Sequence, residues 1–164
     1  MNAIRTLYSV GACAVAVTLL AAAPETSWFE ARTSGAKTLT LRGAAEFGSV
    51  PNSSGHAAFV LALGASAATG AVLFTIPSGR RPEPGVYDLA DSLYVVQTLV
   101  VTGSPTNPTG AFRGHAGTLT IVRSTDEFIA GHFNLHATGF EAAEPAVETR
   151  QLAVTGVFTA SPGR

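Results

Sequence analysis

The sequence predicts an all-β, antiparallel domain, either a sandwich or a partly closed barrel of about eight strands. Three observations support this prediction. Short segments alternate apolar with small or polar residues, which is the period of a strand with one buried face. Turn-forming residues, 17 Gly and 9 Pro among 164 residues, separate these segments at short intervals. The chain is 46% hydrophobic and only 13% charged, which suits a buried core and argues against disorder.

Residues 1–23 are typical of a signal peptide. Arg5 precedes an uncharged, mostly apolar stretch, and Ala21 to Ala23 supply the small residues of a cleavage site. An uncleaved anchor is an alternative, because the stretch is just long enough to span a bilayer. The residues up to Cys13 are similar to a lipoprotein cleavage box, which makes a lipid anchor at Cys13 a second alternative. We expect an extracytoplasmic protein, periplasmic or secreted, with no stable membrane insertion after cleavage.

The charge and the cysteine content exclude some classes of partner and chemistry. Loss of Arg5 with the signal leaves nine basic against eleven acidic residues, a net charge of −2. No basic face for nucleic acid is indicated, so nucleic acid is not an expected partner. Cys13 is the only cysteine, so the processed chain holds neither a disulfide nor a reactive thiol.

The predicted β domain spans residues 37–160, after a polar lead-in over 24–36 and before a short tail over 161–164. Its first strand, 37–42, alternates Thr with Leu. The next two strands are nearly continuous apolar runs, which indicates that both of their faces are covered. A buried helix over 57–68 is the competing interpretation, although Gly and Thr between the runs favour a hairpin. These two strands are predicted at residues 56–63 and 70–76.

The middle of the predicted domain holds two strands between two long loops. Pro84-Gly85 suits a tight turn at the end of a loop over 77–85, and it leads into a strand at 86–89. Residues 93–102 are β-branched and aromatic, a strong strand composition. A second long loop is predicted over 103–110, where Gly and Pro recur.

The last three predicted strands lie at 116–123, 127–137 and 151–160, with an acidic loop over 139–149 before the final one. The final two share a spacing in which a glycine stands two residues before a phenylalanine. A missing side chain at such a position lets a neighbouring ring or backbone lie close. The residues with this spacing are Ile129, Gly131 and Phe133, and then Val154, Gly156 and Phe158.

The succession G-x-L-x-I from Gly117, I-x-G-x-F-x-L from Ile129 and V-x-G-x-F from Val154 resembles the strand pattern of uncharacterised secreted bacterial β domains. Pro84 to Tyr87 are also similar to theirs. The motifs are structural, so the resemblance implies a secreted β fold and no catalytic residues. The chain lacks the G-x-W opening of lipocalins and, with one Trp, the repeated tryptophans of avidins.

The histidines are the first candidates for a binding site. His132, Asn134 and His136 have the opposite parity to Phe133 and Leu135, so they are predicted on a polar outer face or as the polar lining of a cavity. His132 and His136 lie ~13 Å apart at ~3.3 Å per residue, too far to share a zinc ion bound at ~2.0–2.1 Å.

His115 is a separate case. It has the parity of Leu119 and Ile121, which puts it on the core side or at the rim unless Gly114 or Gly117 makes a bulge. No metal site and no cofactor is therefore expected.

The remaining candidates are weaker. Arg80 and Arg81 sit in a Pro-rich loop, where they are either solvated or in contact with an anionic partner. Ser66 lacks the surroundings of a nucleophile elbow and is predicted to be a turn residue. The aromatic residues are spread one per strand, as core residues are, with Tyr94 and Phe128 as candidates for exposed rings. Sequence spacing brings no carboxylates together among Asp88, Asp91, Asp126, Glu127, Glu141, Glu144 and Glu148.

The hypothesis favoured by these observations is an exported, non-enzymatic binding or interaction module, whose partner is an unknown protein, glycan or small apolar ligand. Its contacts are expected in the loops at 77–85, 103–110 and 139–149, because loops carry recognition on such scaffolds. A small-molecule carrier with a cavity inside a closed barrel, lined by His132, Asn134 and His136, is the first alternative. A secreted hydrolase is the second, although no catalytic residues are identified.

Overall fold

The computed structural model describes residues 26–51, 55–64, 69–90, 96–104, 107–142 and 149–163. This part of the chain contains no helix, and 75% of it is strand. Ten strands form one large antiparallel sheet that curves in a ring, which confirms the predicted fold class. Within these ranges there is accordingly no helix that is long and apolar enough to cross a membrane. The predicted signal at 1–23 lies outside the described residues.

The strands follow one another in the order β1 (Trp28–Gly35), β2 (Thr40–Gly43), β3 (Ala45–Pro51), β4 (Ala57–Leu63), β5 (Gly70–Ile76), β6 (Gly85–Asp88), β7 (Gln97–Ser104), β8 (Asn107–Ser124), β9 (Ile129–Glu141) and β10 (Arg150–Pro162). In the sheet they are arranged as β2-β1-β10-β3-β4-β5-β7-β8-β6, and β9 pairs with both β8 and β10.

The pairing of β10 brings the two ends of the ring together. β10 pairs antiparallel with β9 on one side and with β1 on the other. Beyond the start of β1, Ser161 and Pro162 pair in parallel with Glu46 and Phe47 of β3. From β3 the ladders continue through β4, β5, β7 and β8 to β9. A path along hydrogen-bonded neighbours therefore leaves β10 and returns to it.

Alternate residues of the strands face a common core inside the ring. The rings of Phe74 and Phe133 meet edge to face with centroids 5.2 Å apart, and Phe158 lies 6.5 Å from Phe133. Ile129, Phe133 and Leu135 are all buried, which confirms the predicted core face of β9. The largest fully buried side chains are Phe29, Phe74, Phe112, Phe133, Leu41, Leu61, Leu63, Leu119, Ile121, Ile129, Leu135 and Leu152.

Two glycines make room for phenylalanine rings on the neighbouring strand. Gly156 pairs with Phe133 and Gly131 with Phe158 across the β9–β10 ladder. A Cβ at Gly156 would lie 2.6 Å from Cζ of Phe133. A Cβ at Gly131 would meet the backbone carbonyl of Thr120 first, and it would lie 3.1 Å from Cζ of Phe158. The structure thus confirms the reason expected for the glycine-phenylalanine spacing.

The predicted polar lead-in at 24–36 is wrong, because β1 occupies most of it. Phe29, Ala31 and Thr33 face the core, and they alternate with outward-facing Glu30 and Arg32. Ala and Thr are too small and too mildly apolar to produce a strand signal. The predicted strand at 37–42 begins only at Thr40, and β3 was not predicted.

The predicted loop at 103–110 is also wrong. β7 continues to Ser104, β8 begins at Asn107, and these two residues pair with each other. The predicted tail at 161–164 is partly strand, since β10 ends at Pro162. The predicted acidic loop at 139–149 begins later than expected, since β9 extends to Glu141. Residues 143–148 lie outside the described ranges. The competing helix over 57–68 is excluded for residues 57–63, which form β4.

Candidate functional site

The structure places His132, Asn134 and His136 on the outer face of β9, and all three are exposed. They alternate with buried Phe133 and Leu135, which point into the ring. The predicted polar outer face is therefore confirmed. The alternative, that these three residues line an interior cavity, is wrong because their side chains are on the opposite side of the sheet from the core.

His115 is exposed as well, because β8 is bulged at this residue. Gly114 pairs with Ala137 and Ala116 pairs with His136, so His115 has no partner of its own in the ladder. The extra residue shifts the alternation of the strand by one position, so the predicted exception, a bulge beside Gly114, applies and His115 is not on the core side.

Arg81 lines an open depression of about 420 Å³ at one end of the ring, here called the end depression. Its contributors stand at the ends of β3, β5, β8 and β10 and at the start of β4. The ladders from β3 to β8 are antiparallel and β10 is parallel to β3, so these ends fall on the same rim of the ring. The residues that line the end depression are Phe47, Gly48, Ser49, Phe59, Gly79, Arg81, Asp126, Pro162 and Gly163.

The base of the end depression is aromatic. Phe47 of β3 and Phe59 of β4 stack with centroids 5.8 Å apart and ring planes 25° from parallel. They are 9% and 4% exposed, so only a small part of each ring reaches the depression. The end of β10 is held beside them, since the backbone N–H of Gly163 donates to the carbonyl of Phe47 at 2.8 Å.

The rim of the end depression carries an ion pair between two loops. The guanidinium of Arg81, from the loop after β5, contacts the carboxylate of Asp126, from the turn between β8 and β9. The turn is held by Thr125, whose hydroxyl donates to the carbonyl of Phe128 at 3.1 Å. On the other loop, the N–H of Gly79 donates to the carbonyl of Ile76 at 3.1 Å. Both charges are thus presented from anchored backbone.

The two adjacent arginines differ in their surroundings. Both are exposed, but Arg81, whose side chain is 37% exposed, lines the end depression and Arg80 is not among its lining residues. Asp126 is 94% exposed, so the ion pair lies in water on the Asp126 side. Arg81 is a candidate from the sequence, whereas Asp126 is named there only among carboxylates that sequence spacing does not bring together. Nothing local in the sequence indicates that residues 45 positions apart meet.

Tyr87 of β6 follows the loop that carries both arginines. Its hydroxyl donates to the carbonyl of Glu83 at 2.8 Å, which ties the end of that loop to the strand. Burial raises the pKa of Tyr87 above its ordinary value, and the hydrogen bond to Glu83 opposes that shift.

The other predicted candidates give no further site. Phe128 is half-buried, and the guanidinium of Arg123 covers it at 4.5 Å from the ring centroid, so it is not a free aromatic platform. Within the described ranges, no group of three or more His, Cys, Asp or Glu side chains is found that could hold a metal ion. The candidates that lie outside the described residues are Ser66, Asp91, Tyr94, Glu144 and Glu148.

The chain matches no family model, no curated protein and no solved structure. The functional conclusion therefore depends on the geometry of the residues themselves.

Proposed function

We propose that this protein is an exported, non-enzymatic binding module that takes an anionic group of its ligand at Arg81 in the end depression. The observation that supports this proposal is the position of Arg81 in a concave, partly aromatic surface with a highly exposed counterion. Concave surfaces with a few fixed polar groups over an apolar base are the usual form of a ligand site.

Asp126 is a partner that a ligand can replace. An exposed ion pair contributes only about 0.2–1 kcal/mol, and here the Asp126 carboxylate is 94% exposed and remains hydrated. Release of Asp126 into water therefore costs little. A carboxylate that approaches Arg81 can make two parallel N–H···O hydrogen bonds, a geometry in which arginine pairs strongly. A ligand with an apolar body beside its carboxylate would also cover the exposed edges of Phe47 and Phe59.

The ring serves in this proposal as a closed barrel that supports the rim. The return of the pairing path to β10 through Glu46 and Phe47 favours a barrel over a sandwich. A barrel of about eight strands has an interior just wide enough to be filled by side chains or to hold one small ligand. Burial of Phe74, Phe112 and Phe133 inside the ring favours the filled interior, so we place the ligand at the rim and not in a central cavity.

Export is part of the same proposal. A signal peptide over residues 1–23 would direct the domain outside the cytoplasm, to the periplasm or the medium. A barrel without cysteine in its processed form needs no disulfide there, since a domain of this size has enough buried surface to be stable on its own.

The test compares two neighbouring arginines. Immobilised acidic oligosaccharides and acidic peptides are probed with the wild-type chain, with Arg81→Ala and with the matched control Arg80→Ala. We expect retention of at least one probe by the wild type and by Arg80→Ala, and loss of that retention in Arg81→Ala. Asp126→Asn should retain the same probe more strongly, because it removes the competing carboxylate from Arg81.

Two results would overturn the proposal. One is failure of the wild type to retain any acidic probe, and the other is equal retention by the Arg81→Ala and Arg80→Ala variants. Denaturant melts provide the folding control. Because the ion pair is exposed, Arg81→Ala is expected to change the free energy of unfolding by less than about 1 kcal/mol.

A further inference from the structure

We propose that His115 and His136 form a transition-metal site on the outer face of the sheet, suited to Cu²⁺ or Zn²⁺. This site is separate from the end depression and does not depend on the proposed function. Two observations support it: the bulge in β8 that turns His115 outward, and a surface depression of about 210 Å³ that both histidines line.

The bulge places both histidines on the same side of two neighbouring strands. In a bulge of this kind, two residues on one strand stand opposite a single residue on the other. Here Ala116 pairs with His136, and His115 is the extra, unpaired residue beside Ala116. Both histidines also line the same depression, so their imidazoles can approach a common ion at ~2.0–2.1 Å.

The two imidazoles are available as ligands. Both side chains are exposed, and neither makes a hydrogen bond with another residue of the described ranges. Ser34 and Gln151, whose side chains carry a hydroxyl and an amide oxygen, line the same depression. The described residues offer no third His, Cys, Asp or Glu for the site, so Ser34, Gln151 or water would complete the coordination.

Imidazole ligands select the metal. Nitrogen donors of this type suit zinc, copper and nickel, and affinity for a given site rises to a maximum at Cu²⁺. Two arginines lie near the site on the same outer face. Arg113 pairs with Thr138, two residues after His136 on β9. Arg32 pairs with Thr155, two residues after Ala153, which is the partner of His136 on β10. Their charges oppose a bare dication, which favours an ion that keeps an anionic co-ligand and weakens the site relative to a buried one.

His132 provides the matched control. It is exposed on the same face of the same strand, but its ladder partners are Thr120 and Val157, so it has no second imidazole opposite it. The full chain, produced without a histidine tag, is titrated with Cu²⁺ alone and with Zn²⁺ alone by calorimetry. Paramagnetic resonance of the Cu²⁺ sample counts the bound imidazole nitrogens.

We expect one Cu²⁺ bound through two imidazole nitrogens, with tighter binding than Zn²⁺. His115→Ala and His136→Ala should each weaken Cu²⁺ binding at least about tenfold, the lower limit for loss of a supporting partner at a metal site. His132→Ala should leave the affinity within about twofold of wild type, since that residue is ~13 Å from His136 along an extended strand. Circular dichroism confirms that each variant keeps the β fold.

Equal weakening by His132→Ala and His136→Ala would overturn the proposal, because it would mean that surface histidines bind the ion independently. A spectrum with a single bound nitrogen, or binding unaffected by His115→Ala, would overturn it as well. Since none of these variants touches Arg81, failure of the metal site leaves the proposed ligand site intact, and the reverse also holds.

Discussion

Replacement of Phe133 by Ala tests the assignment of the inner face of the ring. Phe133 is 1% exposed and lies between two other rings, 5.2 Å from Phe74 and 6.5 Å from Phe158. Its ring also fills the space above Gly156, which has no side chain to replace it. Truncation to Ala would leave a cavity bounded by these three residues.

The expected loss of stability follows from this packing. Deletion of a buried Phe side chain costs about 3–5 kcal/mol, and the cost is greatest where the neighbours cannot close the cavity. Two aromatic contacts are lost together here, each worth about 0.5–1.5 kcal/mol beyond buried area, so the upper part of that range is expected. A single domain typically has about 5–15 kcal/mol of stability, so the variant should still fold.

Urea denaturation at equilibrium measures this loss. With a slope of about 2 kcal/mol per molar, a loss of about 4 kcal/mol lowers the midpoint by roughly 2 M. Phe140→Ala is the matched control, because Phe140 stands on the same strand but is 56% exposed. It should change the free energy of unfolding by no more than about 0.5 kcal/mol. A loss under 1 kcal/mol in Phe133→Ala would mean that Phe133 is on the surface and that the face assignment is wrong.

A double-mutant cycle with Gly156→Ala then tests why Gly156 is a glycine. The new Cβ would lie 2.6 Å from Cζ of Phe133 and 2.7 Å from the Cβ of Ala31, an overpacking expected to cost about 1–3 kcal/mol. In the Phe133→Ala background only the Ala31 contact remains, so Gly156→Ala should cost about 1 kcal/mol less there, within the range for contacting residues. The same cost in both backgrounds would show that the ring does not select the glycine.

Two further predictions concern single polar side chains. The hydroxyl of Thr98 is buried and has no hydrogen-bond partner within the described ranges. Thr98→Val should therefore stabilise the protein by about 1 kcal/mol in denaturant melts. Destabilisation of that size would show instead that the hydroxyl has a hydrogen-bond partner. Burial raises the pKa of Tyr87, so folding favours its protonated phenol. The stability that this gives is present below the pKa of the unfolded state and is lost as the pH rises through the raised pKa of the folded state. As the pH is raised through the alkaline range, the free energy of unfolding should therefore fall less in Tyr87→Phe than in the wild type. An equal fall in both proteins would mean that the pKa of Tyr87 is not raised by folding.

The strands that could be predicted from sequence are those whose inward residues are large. β5 was predicted with the bounds that the structure has, and β4 differs by one residue, because apolar runs bounded by Gly are unambiguous. β9 and β10 were predicted because Phe, Ile, Leu and Val fill their inward positions. In each case the hydrophobic gain of one face is large enough to dominate the local pattern.

The strands that were missed have small or polar inward residues. In β1, Ala31 and Thr33 face the core, yet neither marks a strand by itself. Their burial is decided by the partner strand, since Ala31 pairs with Gly156 and its Cβ lies, like the ring of Phe133, next to that glycine. That fit joins residues from opposite ends of the chain. Alternation within one segment does not contain this information.

The candidate sites could be predicted less well than the core, and His115 shows the physical reason. Parity along β8 places His115 inside, and one unpaired residue between Gly114 and Ala116 reverses that placement. A bulge costs little locally, but it changes the face of every residue on one side of it. An outer surface that is assembled from several strands therefore depends on bulges and registers that the sequence of one strand does not reveal. The Arg81–Asp126 pair has the same character, because it joins the loop after β5 to the turn after β8, which meet only through the pairing of both strands with β7. Inward residues are constrained by burial at every position, whereas outward residues are constrained only where they bind something, and their sequence pattern is correspondingly weak.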